Sequence, residues 1–211
     1  MSAHCCPAPD KPAIDLRYRK VLWIALVLNA AMFVLELGAS WASDSVSLLA
    51  DSIDFFGDAA NYALSLAVLG MALPARSKAA LFKAACMGAF GVFVLGKALW
   101  NLQAGVVPEP ATMGVVGFAA LAVNGGVAWM LYRYRSGDAN MRSVWICTCN
   151  DALGNVAVML AALGVFGTGS AWPDLVVAAV MGSLALWGAT TVLAHARGEL
   201  RVSAAHDHTI T

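Results

Sequence analysis

Charge is scarce in this sequence: Asp, Glu, Lys and Arg supply 12% of its 211 residues, about half the usual share. An ordinary soluble domain is excluded with it. Sixty per cent of the residues are apolar and the mean hydropathy is +0.72, more oil than a soluble core of this size can bury. Net charge is also missing, since 13 basic and 13 acidic residues cancel. That balance says nothing about partners by itself, and no nucleic-acid partner is expected. The cysteines are too few and too scattered for a disulfide framework. Cys5, Cys6, Cys86, Cys147 and Cys149 are odd in number, three of them lie in apolar runs, and all five read as free thiols. No cleavable leader is expected either, because a polar, charged stretch precedes the first apolar run and no small-residue cleavage site closes it.

Long apolar runs are what the sequence has instead. They read as spans near residues 21–41, 45–69, 80–102, 111–132, 144–165 and 175–195, each long enough to cross a hydrocarbon layer of about 30 Å. The expected fold is an all-α membrane protein of six transmembrane helices. Residues 1–20 read as an N-terminal tail, 21–197 as the six-span transmembrane domain and 198–211 as a short C-terminal tail.

Lys and Arg alternate with the spans. Lys11, Arg17, Arg19 and Lys20 precede span 1; Arg76, Lys78 and Lys83 separate spans 2 and 3; Arg133, Arg135 and Arg142 separate spans 4 and 5; Arg197 and Arg201 follow span 6. The other three connections, around Asp44, 103–110 and 167–174, have none. Short cytoplasmic loops are enriched in these residues, so both termini are expected in the cytoplasm. Trp23, Trp41, Trp100, Trp145 and Trp172 near the span ends, and His195 at the end of span 6, read as interfacial; the many glycines within spans read as packing.

Polar residues inside the spans carry the functional signal, because a charge at mid-membrane costs about 2.5 to 3.5 kcal/mol on insertion scales. Span 2 holds Asp51, Asp54 and Asp58. The last two, four apart, share a helix face, with Asp51 one turn earlier on nearly the same stripe. Span 5 places Cys147 and Asp151 at the same spacing, with Asn150 adjacent and Asn155 one turn beyond. Carboxylates so placed must hold protons or a cation. Asp54, Asp58, Cys147 and Asp151 together make a four-coordinate O and S set, which suits zinc or cadmium better than magnesium or calcium. The plainer reading of Cys147 is a small hydrophobe, and Asp51 reads as a ligand or as a support for its neighbours. Asn29 and Glu36 in span 1, Lys97 in span 3, Asn124 in span 4 and Asp174 before span 6 are isolated polar residues. Glu36 is expected either to line the pathway or to pair with Lys97.

The run from Ser45 through Ser47, Leu48, Leu49, Ala50, Asp51, Ser52, Ile53 and Asp54 to Asp58 resembles the second span of the cation diffusion facilitator family. The stretch from Asp151 through Ala152, Leu153 and Gly154 to Asn155 resembles its fifth. That family pairs His or Asp with Asp four residues later in each of these spans. Asp54 and Asp58 match one pair and Asp151 the second member of the other, while Cys147 stands where His or Asp is usual. Asn29, Glu36, Asn124 and the run Trp172, Pro173, Asp174 extend the likeness over about 21–197. The resemblance implies a cation-efflux transmembrane bundle that exports divalent metal from the cytoplasm in exchange for protons. It also implies metal ligation by Asp54, Asp58, Cys147 and Asp151, with Asp51, Asn150, Asn155, Asn29, Glu36, Asn124 and Asp174 as supporting or pathway groups. The Cys147 departure points toward softer ions. A cytoplasmic domain usually follows the sixth span in that family, and this chain reads as a short form lacking it, dimerising through its spans.

The expected cargo is zinc or cadmium, with cobalt, iron and manganese as alternatives, and no cofactor is expected. His4, Cys5 and Cys6 in one tail and His206 and His208 in the other, beside Asp207, are candidates for metal capture. The expected setting is a bacterial inner membrane, with the bilayer, metal and protons as partners. A metal sensor without flux is the alternative, and a metal-dependent intramembrane enzyme is less favoured because no basic headgroup site adjoins the Asp cluster.

Overall fold

A computed structural model describes residues 16–67, 73–136 and 139–207. Six helices follow one another: α1 (Leu16–Ser43), α2 (Val46–Ala67), α3 (Leu73–Ala104), α4 (Pro110–Tyr132), α5 (Ala139–Thr168) and α6 (Trp172–Asp207), with no strand among the described residues. The shortest, α2, has 22 residues, about 33 Å at 1.5 Å per residue and enough to cross a hydrocarbon layer. Five helices are also apolar enough to do so: α1, α4, and the stretches Ala84–Ala104, Thr148–Thr168 and Trp172–Thr191 of α3, α5 and α6. Helix α2, with its three aspartates, is not among them. Pro74, Pro110 and Pro173 stand in the first turns of α3, α4 and α6, where a missing N–H removes no helical hydrogen bond.

The helices overrun the expected spans. Helix α1 starts at Leu16, inside the expected N-terminal tail, and α6 continues to Asp207, through most of the expected C-terminal one. Hydropathy marks where hydrocarbon ends, but the backbone ladder does not stop there.

Apolar and polar residues are distributed in reverse of a soluble protein. Trp129 and Phe166 are each 79% exposed, and Trp23, Trp41, Trp100, Trp172 and Trp187 also face outward. Asn29, Glu36, Ser47, Asp51, Asn124, Thr148, Asn155 and Asp174 are all buried. Exposed side chains of that kind are favourable only in lipid, and inward polar ones only where they meet one another or a ligand. The chain is a multi-pass integral membrane protein.

Helix α2 lies at the heart of the bundle, against α1, α3, α5 and α6; α3 packs mainly on α6, and α4 mainly on α5. Gly182 permits the α3–α6 approach, since a Cβ there would lie 3.1 Å from Leu95. One apolar cluster, built on Leu48, Leu49, Ile53, Val94, Val158 and Val165, fills the half of the bundle nearer the α1–α2 turn. A second, built on Tyr18, Leu22, Tyr62, Val127 and Leu131, fills the opposite, basic end, where Tyr18 stacks on Tyr134 with centroids 4.9 Å apart. The polar interior lies between them.

The end away from the basic residues is closed by short turns that bond to one another. Glu109 N–H donates to the Ser43 carbonyl (2.9 Å), and the Asn101 amide donates to the Asp44 carbonyl (3.1 Å), with Asp44 in left-handed backbone at φ 55°. Glu109 also caps α4, accepting from the Ala111 and Thr112 amides at 3.0 and 2.6 Å. Hydrogen bonds from Thr112, through its hydroxyl and its amide, and from Ala111 hold the Glu109 carboxyl below its usual value of 4.5. A depressed carboxyl stabilises the folded state above its unfolded pKa and loses that effect as pH falls through the folded one. Thermal unfolding of the wild type is therefore expected to show a small stability loss on acidification below about pH 4.5 that Glu109→Gln lacks; matching acid profiles would refute the cap.

Candidate metal centre

Helix periodicity turns Asp51, Asp54 and Asp58 of α2 inward, and α5 approaches the same stripe. Asp51 and Asp58 are buried at 1% and 6% exposure, while Asp54 and Asp151 are partly buried. Asp151 lies on α5 within electrostatic reach of Asp58, Asp54 and Asp51. Asp54 lies in turn within reach of Asp51 and Asp58. An ionised carboxylate can only accept hydrogen bonds, so two in contact need a proton or a cation between them. Asp151 Oδ2 has no hydrogen-bond partner.

Asn155, one turn beyond Asp151, is fully buried, and neither atom of its amide is partnered. Cys147 stands on the α5 backbone one turn before Asp151, and its side chain lies outside the described residues. Among the described residues, no three His, Cys, Asp or Glu side chains converge closely enough to enclose an ion. Two groups that were not among the expected site residues join the carboxylates. The Tyr62 hydroxyl donates to Asp58 Oδ2 at 3.2 Å and lies 2.7 Å from Thr148 Oγ1, linking α2 to α5. Tyr62 falls four residues after Asp58, and Thr148 three before Asp151, so helical spacing did carry that signal.

Of the two expectations for Glu36, the pairing with Lys97 is not formed. Glu36 is fully buried and faces Asp51 from α1, whereas Lys97 pairs with Asp44 at 3.8 Å near the α1–α2 turn. The helix stagger brings Lys97 to the bundle end, where its ammonium stays partly exposed. Both Glu36 oxygens and Asp51 Oδ2 lack hydrogen-bond partners, extending the acidic stripe toward that end. Asn150 lies on the exposed face of α5, because one residue of helix turns it about 100° from Asp151.

Asp174 has a bracing position rather than a pathway one. Its Oδ1 accepts from the Ser45 hydroxyl (2.7 Å) and the Ser47 amide (3.0 Å), and its Oδ2 from the Val46 amide (2.9 Å). A carboxylate at the start of α6 thus caps the start of α2. Asn29 is buried on α1, donating to the Ala25 carbonyl, and Asn124 is buried on α4; the carbonyl oxygen of each side chain is unpartnered. His4, Cys5, Cys6 and His208 lie outside the described residues, as does the side chain of His206 at the end of α6.

Comparison with known proteins agrees with this architecture. Residues 22–203 match the cation efflux transmembrane domain. The chain is 28% identical over 178 residues to the metal cation efflux system protein CzcD of Cupriavidus metallidurans, covering 79% of this chain and 55% of that one. It is 33% identical over 193 residues to an uncharacterised transporter of Synechocystis, covering 81% and 61%. It is 24% identical over 184 residues to a cadmium, cobalt and zinc/H(+)-K(+) antiporter of Bacillus velezensis, covering 80% and 58%. The chain spans little more than half the length of these relatives. With carboxylates turned into a lipid-facing bundle and residues 22–203 matched to the family domain, the chain belongs to the cation efflux, or cation diffusion facilitator, family.

Proposed function

We propose that this protein moves divalent transition-metal ions out of the cytoplasm in exchange for protons, without acting as an enzyme. The observation that carries the reading is the gathering of Asp54 and Asp58 from α2 and Asp151 from α5 within electrostatic reach of one another inside the bundle. A cation entering must displace the protons that such groups hold, so ion binding and proton release are one event. Asp54, Asp58 and Asp151 are the proposed ligands, with Cys147 as the fourth; a thiolate beside carboxylates favours zinc and cadmium. The names of the CzcD and Bacillus relatives support this class of cargo.

Asp51 and Glu36 extend the carboxyl path, and Asn155, Asn29 and Asn124 line it. The basic end faces the cytoplasm of a bacterial inner membrane, following the charge bias of short loops. The tail residues His4, Cys5, Cys6, His206 and His208 capture metal there, and two copies associate through their spans. Alternating access exposes the site to each side in turn.

Reconstitution into sealed vesicles with a metal-sensitive dye inside tests this reading. Zinc and cadmium are expected to enter faster than manganese, and an imposed pH gradient is expected to change the rate. Metal binding without flux of any ion would instead identify a sensor.

A further inference from the structure

The Tyr62 phenol and Thr148 hydroxyl form a bonded chain from α5 to α2 that ends on Asp58, a proposed ligand. Both side chains are buried, at 1% and 0% exposure. A phenol has one proton, so when Tyr62 donates to Asp58 it accepts from Thr148. The phenol engages one lone pair of Oδ2 and so biases Asp58 toward meeting an ion through Oδ1. One-oxygen coordination suits a small tetrahedral ion, whereas larger ions take more oxygen ligands and use carboxylates in the two-oxygen mode. Partners that orient a ligand govern affinity nearly as strongly as the ligands do.

We infer that Tyr62, held by Thr148, is a positioning residue that keeps Asp58 in one-oxygen coordination and thereby biases the site toward zinc over larger ions such as cadmium. The inference rests on the transport site proposed above. Removing the phenol hydroxyl removes that bias and makes the two-oxygen mode more favourable.

The test is competition between zinc and cadmium for the purified full chain in detergent, compared across wild type, Tyr62→Phe, Thr148→Val and Thr148→Ser. Tyr62→Phe is expected to shift the zinc-to-cadmium affinity ratio about tenfold toward cadmium. Thr148→Val should move it the same way by less, and Thr148→Ser, which keeps the hydroxyl, should restore the wild-type ratio. A merely structural hydroxyl would lower thermal stability and weaken both ions equally, leaving the ratio unmoved. An unmoved ratio in Tyr62→Phe overturns the inference. Should that variant not fold, equal ratios for Thr148→Val and Thr148→Ser do the same. Asp54→Ala separates the two readings: if it binds zinc as the wild type does, the transport site itself is wrong. If it loses zinc while Tyr62→Phe keeps the wild-type ratio, only the role of Tyr62 falls.

Discussion

Replacing Asp54 by Ala is expected to cut zinc flux into vesicles by about 100-fold or more, beyond the 10- to 100-fold range typical of losing a group that merely supports a ligand. Among the described residues Asp54 has no hydroxyl or backbone partner that would make it a structural post, and other carboxyls, Asp51 and Asp58, lie within electrostatic reach. Removing one carboxylate therefore relieves repulsion in the empty protein while deleting a ligand from the loaded one. Two signs follow. Asp54→Ala should fold at least as stably as the wild type without metal, yet lose transport. Asp54→Asn should behave like Asp54→Ala, because the amide keeps the volume but neither the charge nor the basicity. The double replacement of Asp54 and Asp151 should be little worse than either single one, since ligands of one ion act as a unit. Residual zinc flux within twofold of wild type in Asp54→Ala would remove that residue from the site.

Asp174→Ala is expected to have the opposite profile: a large stability loss, with the intrinsic metal affinity of the surviving folded fraction little changed. Three donors converge on that carboxylate, two of them backbone amides at the start of α2. Leaving them unpaired in a buried place costs about 3 kcal/mol, taking one to three for each stranded group and allowing for relaxation. For a chain of this size the loss corresponds to a drop in thermal midpoint of about 6 to 12 °C. Asp174→Asn should lose less, because its Oδ1 still accepts from Ser45 and Ser47. Circular dichroism melts in detergent read this directly. A midpoint within a degree of wild type would show that the α6-to-α2 brace is dispensable.

These two residues also show where the sequence was readable and where it was not. Asp54 and Asp58 stand out from sequence because lipid makes intramembrane carboxylates expensive and helical spacing shows which of them share a face. Six helices were legible for a related reason: hydrocarbon thickness dictates the length of an apolar run, and Lys and Arg accumulate in alternate loops. Asp174 was visible only as a charge near a span end. Its partners lie about 130 positions away, at 45–47, and no spacing rule joins the start of one helix to the start of another. Glu36 and Lys97 failed as a pair for the same reason, since opposite charge shows that a partner is needed but not which residue lies at the right depth. Tyr62 and Thr148 were not among the expected site residues, because only the α2–α5 contact puts their hydroxyls 2.7 Å apart. Helices α1 and α6 run past the expected spans because membrane hydropathy stops at the headgroups while a helix needs only its own backbone bonds.

The central claim is that protons and a metal ion compete for one carboxylate site within the bundle. Its most direct test is to titrate zinc into the purified wild-type chain and Asp54→Ala in weakly buffered detergent, counting bound zinc and released protons together. The account predicts a saturable zinc bound by the wild type with release of protons, both missing in Asp54→Ala. Zinc bound without proton release, or identical titrations for the two proteins, would contradict it.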